Sequence, residues 1–136
     1  EAGTTASDFE FLPVDVNLTR CQRYYWHFWS KDEAANNGAS MGLGFYFSSS
    51  TLYLSGQYVT QMRATPSLDQ TSGTDYYKTV NLDLLDDFVL QSDALNKTTN
   101  ISYQMYNNTD VSGTTGDCTG IRCNNTDAYV AFDSEL

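Results

Sequence analysis

Hydrophobic and polar side chains alternate with a period of two along most of this chain, a pattern that predicts β-strands. The densest example is residues 21–29, CQRYYWHFW, in which both predicted faces carry rings. We expect the face with fewer polar atoms to enter the core, and it consists of Tyr24, Trp26 and Phe28. The other face is expected to pack against the preceding segment or a neighbouring subunit, and it consists of Tyr25, His27 and Trp29.

The same alternation recurs in later segments. In residues 41–47, one face carries Met41, Leu43, Phe45 and Phe47, and the opposite face carries Gly42, Gly44 and Tyr46. Residues 51–56 predict an outward Tyr53 between the inward Leu52 and Leu54. Val80, Leu82 and Leu84 are predicted to face inward, but Leu84, Leu85, Phe88 and Val89 could also fit a helical turn. Two later segments alternate again, one through Ile101, Tyr103 and Met105, and the other with Ala128, Val130 and Phe132 on one face.

These segments predict seven or eight short strands about ten residues apart, separated by Gly-, Asn- and Ser-rich turns. This spacing favours an all-β fold, an antiparallel β-sandwich or a jelly-roll-like domain. Residues 1–20 have no clean period and predict an extended lead-in from an upstream region. Residues 21–136 then form the sandwich domain, in keeping with a chain length of 136 residues.

The charge balance narrows the range of partners. Seven basic residues stand against 17 acidic residues, so the net charge is −10. Such a chain is repelled by phosphate backbones and anionic lipids, and we therefore expect no nucleic-acid partner. No run of 18 apolar residues is present, and we expect no membrane insertion.

Candidate chemistry is sparse. A catalytic triad needs a histidine beside a nucleophile and a carboxylate, but His27 is the only histidine and lies between two aromatic rings. The acidic run Asp83, Asp86 and Asp87 fits a solvated turn better than a catalytic or calcium-binding pair. We therefore predict a protein that is not an enzyme and that uses neither a cofactor nor a metal ion.

The three cysteines leave two alternatives open. Cys118 and Cys123 are the first and last residues of the segment CTGIRC, which we expect to be part of a loop. They could form a disulfide in an oxidising medium. Alternatively, both remain thiols and Cys21 is a small core residue.

Aromatic side chains are the remaining candidates for binding. Tyrosine and tryptophan rings can stack on the C–H faces of sugars, and acidic β-sandwiches often bind carbohydrate in this way. The predicted receptor-binding residues are Tyr53, Tyr76, Tyr77 and Tyr106. The predicted binding loops are residues 31–40, 67–77 and 107–126.

Several motifs resemble a known family. EAGTTASDFEF followed by LTRCQRYYW is similar to the junction in phage tail-fibre and related virion proteins, where LEVG-x-x-ATPFE leads into L-x-x-CQRYY. MRATPS at 62–67 and the final AFDSEL resemble the family's MRA-x-P-x and DAEL segments. The matches run in order along the whole chain, but the family's PFE is DFE here.

The resemblance implies the C-terminal β-domain of a phage tail-fibre or appendage protein on the surface of the virion. It further implies a homotrimer that contacts other virion proteins and attaches to a host-surface glycan or protein. A purely structural capsid decoration or fibre-assembly module is the alternative, and a polysaccharide depolymerase is a third, weaker hypothesis.

Overall fold

The computed structural model describes residues 12–29, 38–92 and 97–135. It contains one helix, α1 (Val14–Gln22), followed by ten strands. The first five strands are β1 (Tyr25–Trp29), β2 (Ser40–Ser48), β3 (Thr51–Gln57), β4 (Ser67–Gln70) and β5 (Tyr77–Thr79). The others are β6 (Leu84–Leu85), β7 (Val89–Leu90), β8 (Ser102–Asn107), β9 (Cys118–Cys123) and β10 (Val130–Asp133).

The strands form two sheets in which every described pair is antiparallel. The smaller sheet has three strands in the order β1-β10-β4, and the larger has seven in the order β6-β5-β9-β2-β3-β8-β7. The predicted all-β, antiparallel sandwich class is thereby confirmed.

An aromatic cluster joins the two sheets. Phe132 of β10 is fully buried and stacks on Trp26 of β1, with ring centroids 5.6 Å apart. Its ring also contacts Tyr103 of β8 at 4.7 Å and Tyr58, which follows β3, at 5.1 Å. Tilted and edge-to-face geometries of this kind add to the free energy gained from burial, so this cluster is the centre of the core.

A β-bulge in β1 changes the predicted faces of residues 21–29. The pairing moves from His27 opposite Ala131 to Trp29 opposite Val130, so one extra residue enters the strand. Trp29 therefore faces the core together with Trp26. The prediction that Trp29 shares a face with Tyr25 and His27 and packs against the preceding segment or a neighbouring subunit is wrong.

Tyr24 is a second correction in this segment. It precedes β1, is largely exposed and lies under the guanidinium of Arg63, 5.4 Å from the ring centroid. The predicted core position is therefore wrong for Tyr24 and right for Trp26 and Phe28, which pack against the core.

Two further predictions fail because the local backbone is not extended where an extended conformation was predicted. Residues 14–22 form helix α1 rather than an extended lead-in, and residues 1–11 of that prediction lie outside the described residues. The predicted inward set Val80, Leu82 and Leu84 is exposed. The backbone N–H of Leu82 donates to the Thr79 carbonyl, and this turn ends β5 and redirects the following residues.

Residues 41–47 do form a strand, but its apolar side chains divide between two faces. A bulge between Ser40 and Gly42 places Met41 in the core, whereas Leu43, Phe45 and Phe47 point outward. The inward positions belong to Gly44 and Tyr46. A Cβ atom on Gly44 would lie 2.8 Å from Ile121 Cδ1, so glycine permits close packing there.

The difference between inner and outer phenylalanines predicts their effects on stability. Phe132→Ala should lower the free energy of unfolding by about 3–5 kcal/mol, because it removes a fully buried ring and leaves a cavity. Phe47→Ala is the matched control, and its loss should stay below about 1 kcal/mol because this ring is 59% exposed. Urea unfolding of both variants checks this, and equal losses would contradict the assignment of faces.

Candidate ligand-binding surface

Six uncharged side chains cover part of the outer surface of the larger sheet. We name this surface the outer aromatic face, and it consists of Leu43, Phe45, Phe47, Tyr53, Val89 and Tyr106. Strand register brings them together, since Phe45 pairs with Tyr53, Tyr53 with Tyr106, and Tyr106 with Val89. Paired residues share a face, so these four form one row across β2, β3, β8 and β7, about 14 Å wide.

The rings of this row contact one another. The centroid of Tyr53 lies 5.6 Å from that of Phe45, 5.1 Å from that of Phe47 and 6.2 Å from that of Tyr106. Tyr53 is consequently buried beneath its neighbours although it points away from the core. Phe47 and Leu43 are 59% and 77% exposed, and they are the most accessible apolar side chains of the face.

Neighbouring groups set the chemistry that this face can perform. Its six side chains carry no formal charge, and their polar atoms are the hydroxyls of the two tyrosines. Ser55 of β3 and Gln104 of β8 form the next pair on the same face, two residues beyond Tyr53 and Tyr106. The Gln104 amide donates to the Ser55 hydroxyl at 2.9 Å. The arrangement suits stacking on an uncharged ligand surface, with polar groups at one edge.

Two of the four predicted receptor-binding tyrosines belong to the outer aromatic face, Tyr106 half-buried and Tyr53 covered by its neighbours. Their receptor contacts stay predictions. The predicted receptor-binding residues did not include the other four members of that surface, Leu43, Phe45, Phe47 and Val89. The alternation in residues 41–47 contained the necessary information about Phe45 and Phe47, because they share a face. It could not indicate whether that face pointed inward or outward.

The other two predicted tyrosines lie elsewhere. Tyr77 is fully buried, donates its hydroxyl to the Tyr129 carbonyl at 2.8 Å and packs on Phe88 at 4.9 Å. A surface role is therefore wrong for Tyr77. Tyr76 is half-buried against the core, away from the paired rings of the outer aromatic face. Its receptor contact stays a prediction.

A second surface covers the smaller sheet and is polar. Asp69 accepts hydrogen bonds from Tyr25 at 2.6 Å and from Tyr129 at 2.7 Å, and these link β1 and β4 across β10. The exposed His27 ring lies 5.2 Å from that of Tyr25 and 6.3 Å from that of Tyr129. Packing of Tyr25 and His27 against the lead-in or a neighbouring subunit stays a prediction.

The ionisation of this cluster follows from its hydrogen bonds. The hydroxyls of Tyr25 and Tyr129 hold the pKa of the Asp69 carboxyl below its ordinary value of 3.8. Burial, and then the hydrogen bond to Asp69, raise the pKa of Tyr25. Asp69 is thus a carboxylate throughout the neutral range, and both tyrosines keep their protons.

The cysteine arrangement excludes the predicted disulfide. Cys118 and Cys123 are free thiols at the two ends of β9, which lies between β5 and β2 rather than in a loop. A strand rises about 3.3 Å per residue, so their Cα atoms are about 16 Å apart, far beyond disulfide reach. Cys118 is exposed, and burial raises the pKa of the Cys123 thiol to about 12. Cys21 is also exposed, so its prediction as a core residue is wrong.

The acidic residues of 83–87 have structural partners. Asp83 accepts a hydrogen bond from Tyr46 at 2.8 Å, and Asp87 accepts one from the Gly73 amide at 2.8 Å. Burial and a hydrogen bond to Asp110 raise the pKa of the Asp86 carboxyl. Among the described residues, no group of three or more His, Cys, Asp or Glu side chains is arranged to hold a metal ion.

Comparison with protein-family models, curated proteins and solved structures finds no match to this chain. The resemblance to phage tail-fibre proteins therefore rests on the quoted sequence motifs. Within the described ranges, no helix has both the length and the apolarity needed to cross a bilayer.

The lowered pKa of Asp69 predicts an acid-dependent contribution to stability. The carboxylate favours the folded state at pH values above 3.8, and this contribution is lost as the pH falls through the lower folded-state pKa. Asp69→Asn should therefore cost about 1 kcal/mol at neutral pH, a figure reduced by solvent screening, and progressively less in acid.

Chemical denaturation of both proteins from neutral to acidic pH measures this difference. Asp117→Asn, at an exposed site, is the control for the loss of one carboxylate. A cost of Asp69→Asn that did not change with pH would contradict the assigned role of the Tyr25 and Tyr129 hydrogen bonds.

Proposed function

We propose that this chain is a non-enzymatic domain of a phage virion appendage that attaches the particle to a host-surface receptor. The observation that carries the proposal is the row of three rings and one valine across four adjacent strands, which leaves an apolar surface uncovered. Contiguous exposed apolar surface on a folded domain commonly marks a site of interaction. The sequence motifs shared with tail-fibre proteins support the virion as its location.

A glycan is the receptor class that this surface suits best. Tyr106 and Phe47 offer ring surfaces to sugar C–H groups, and the face has no charge that would demand an ionic partner. Individual contacts of this kind are weak. A homotrimer on the virion would raise the effective concentration of its own sites and so convert weak contacts into firm attachment.

A second candidate function is supported by Leu43 and Phe47. These two side chains are the most exposed of the face and carry no hydrogen-bonding atom. Such surface also packs well against another protein. In that case the chain is a capsid decoration or fibre-assembly module that binds other virion proteins and no host ligand.

A glycan array tests the first candidate through Tyr106→Ala. If the outer aromatic face binds sugar, the variant should bind about fivefold to tenfold more weakly, because one stacking contact of about 1 kcal/mol is lost at each site. Tyr24→Ala is the matched control, since Tyr24 is also exposed but precedes β1 of the smaller sheet. Its binding should equal that of the unmodified chain.

Other outcomes would contradict the proposal in different ways. If neither glycans nor host cells bind the chain, while Phe47→Ala abolishes its incorporation into virions, the assembly role replaces receptor attachment. If host polysaccharide is cleaved and oligosaccharides are released, the non-enzymatic description is wrong. Equal losses of glycan binding in Tyr106→Ala and Tyr24→Ala would show that the outer aromatic face is not the glycan-binding site.

A further inference from the structure

The seven strands of the larger sheet contain neither aspartate nor glutamate, although the chain has 17 acidic residues. These strands do contain two of the seven basic residues, Lys78 of β5 and Arg122 of β9. A ligand that approaches this sheet therefore meets a local charge opposite in sign to that of the whole chain, which is −10.

Strand pairing brings the two basic residues together. Lys78 pairs with Arg122 across β5 and β9, and paired residues share a face of the sheet. Arg122 is exposed and Lys78 is half-buried. Like charges directly opposite one another in a sheet repel, so an anionic group bound beside this basic pair would relieve the repulsion.

The basic pair lies on the same surface as the outer aromatic face. Leu43 pairs with Gly120 and Phe45 pairs with Cys118, and Arg122 is two residues beyond Gly120 in β9. Side chains two residues apart in a strand point the same way, so Arg122 shares its side of the sheet with Leu43 and Phe45. Strand spacings place the Cα atom of Arg122 about 8 Å from that of Leu43.

Apolar side chains connect the two areas. Gly120 has no side chain, and Val80 Cγ2 lies 2.6 Å from the position that a Cβ atom there would occupy. Val80 is 45% exposed and Leu43 is 77% exposed. One ligand can therefore contact the rings, Leu43, Val80 and the basic pair along a continuous surface.

We propose that the ligand of this surface is an acidic glycan. Its uncharged sugar units stack on the outer aromatic face, and an oxyanion that it carries binds Arg122 beside Lys78. This inference rests on the proposed receptor attachment and names the class of receptor. The planar guanidinium of arginine donates two parallel hydrogen bonds to a carboxylate, sulfate or phosphate group, and this contact sets specificity because the rings carry no charge.

The net charge of the chain limits which acidic glycans can bind. A chain of net charge −10 repels a densely charged polyanion, as it repels nucleic acid. The attraction of the basic pair is screened beyond the Debye length, which is roughly 8 Å at physiological ionic strength. We therefore expect a glycan in which isolated acidic groups are separated by neutral sugar units.

A glycan array with matched members tests this assignment. Each set contains a neutral oligosaccharide, the same oligosaccharide with one sugar replaced by a uronic acid, and the same oligosaccharide with one hydroxyl sulfated. The unmodified chain should bind an acidic member more tightly than the neutral one. Arg122→Gln should weaken binding of that acidic member about twofold to fivefold, as for the loss of an exposed ion pair, and so abolish the preference.

Arg20→Gln is the matched control, because it removes the same charge from helix α1, outside the larger sheet. This variant should keep the preference of the unmodified chain for the acidic member. Stronger binding of the uronic acid or of the sulfate ester identifies the source of the oxyanion. Equal losses in Arg122→Gln and Arg20→Gln would show that binding follows net charge alone and would overturn the role of Arg122.

Nuclear magnetic resonance gives a second test that needs no array. Titration of the ¹⁵N-labelled chain with glucuronate should shift the Nε–Hε signal of Arg122 and leave that of Arg20 in place. The same titration with glucose should shift neither signal. An Arg122 signal that does not move with glucuronate, or that moves equally with glucose, would overturn the contact.

The array also separates this inference from the proposed function. A chain that binds only neutral glycans, and binds them more weakly in Tyr106→Ala, overturns the acidic ligand and leaves receptor attachment standing. A preference for acidic members that persists in Arg122→Gln overturns the contact with Arg122 alone. A chain that binds neither glycans nor host cells overturns both proposals.

Discussion

The packing of Phe132 against Trp26, Tyr58 and Tyr103 is the interaction on which the rest of this structure depends. It joins the smaller sheet to the larger one and fixes which side of each strand faces inward. Successive side chains of a strand point to opposite sides, so choosing the inner side also chooses the outer. With Leu52 and Leu54 inside, Tyr53 must point outward, where Phe45, Phe47 and Tyr106 surround it.

The alternation of side chains was enough to predict the fold class and several individual strands. It correctly predicted the inward positions of Trp26, Phe28 and Leu52, because each lies in a regular stretch of strand. It failed where local geometry interrupts the period, as at the bulge that turns Trp29 toward the core. Helix α1 was missed because no buried face imposes a helical pattern on residues 14–22.

The candidate surface was predictable only in part, since a period of two groups residues without indicating which group is buried. Leu43, Phe45 and Phe47 are as hydrophobic as core residues, and only strand pairing shows that Gly44 and Tyr46 take the inner positions. Strand register is decided by contacts between distant parts of the chain. The same limitation explains the disulfide prediction, because CTGIRC resembles a loop until β5 and β2 are seen on either side of it.

Two sets of aromatic rings in this fold have opposite surroundings, one sealed between the sheets and one open to solvent. Hydroxyl-radical footprinting with residue-level mass spectrometry measures this most directly, because oxidation of a ring follows its accessibility to solvent. We expect rapid oxidation of Phe45 and Phe47 and protection of Phe132, Trp26 and Tyr103. Oxidation of Phe132 at the rate of Phe47 would contradict this arrangement, because it would show that the two sheets do not enclose Phe132.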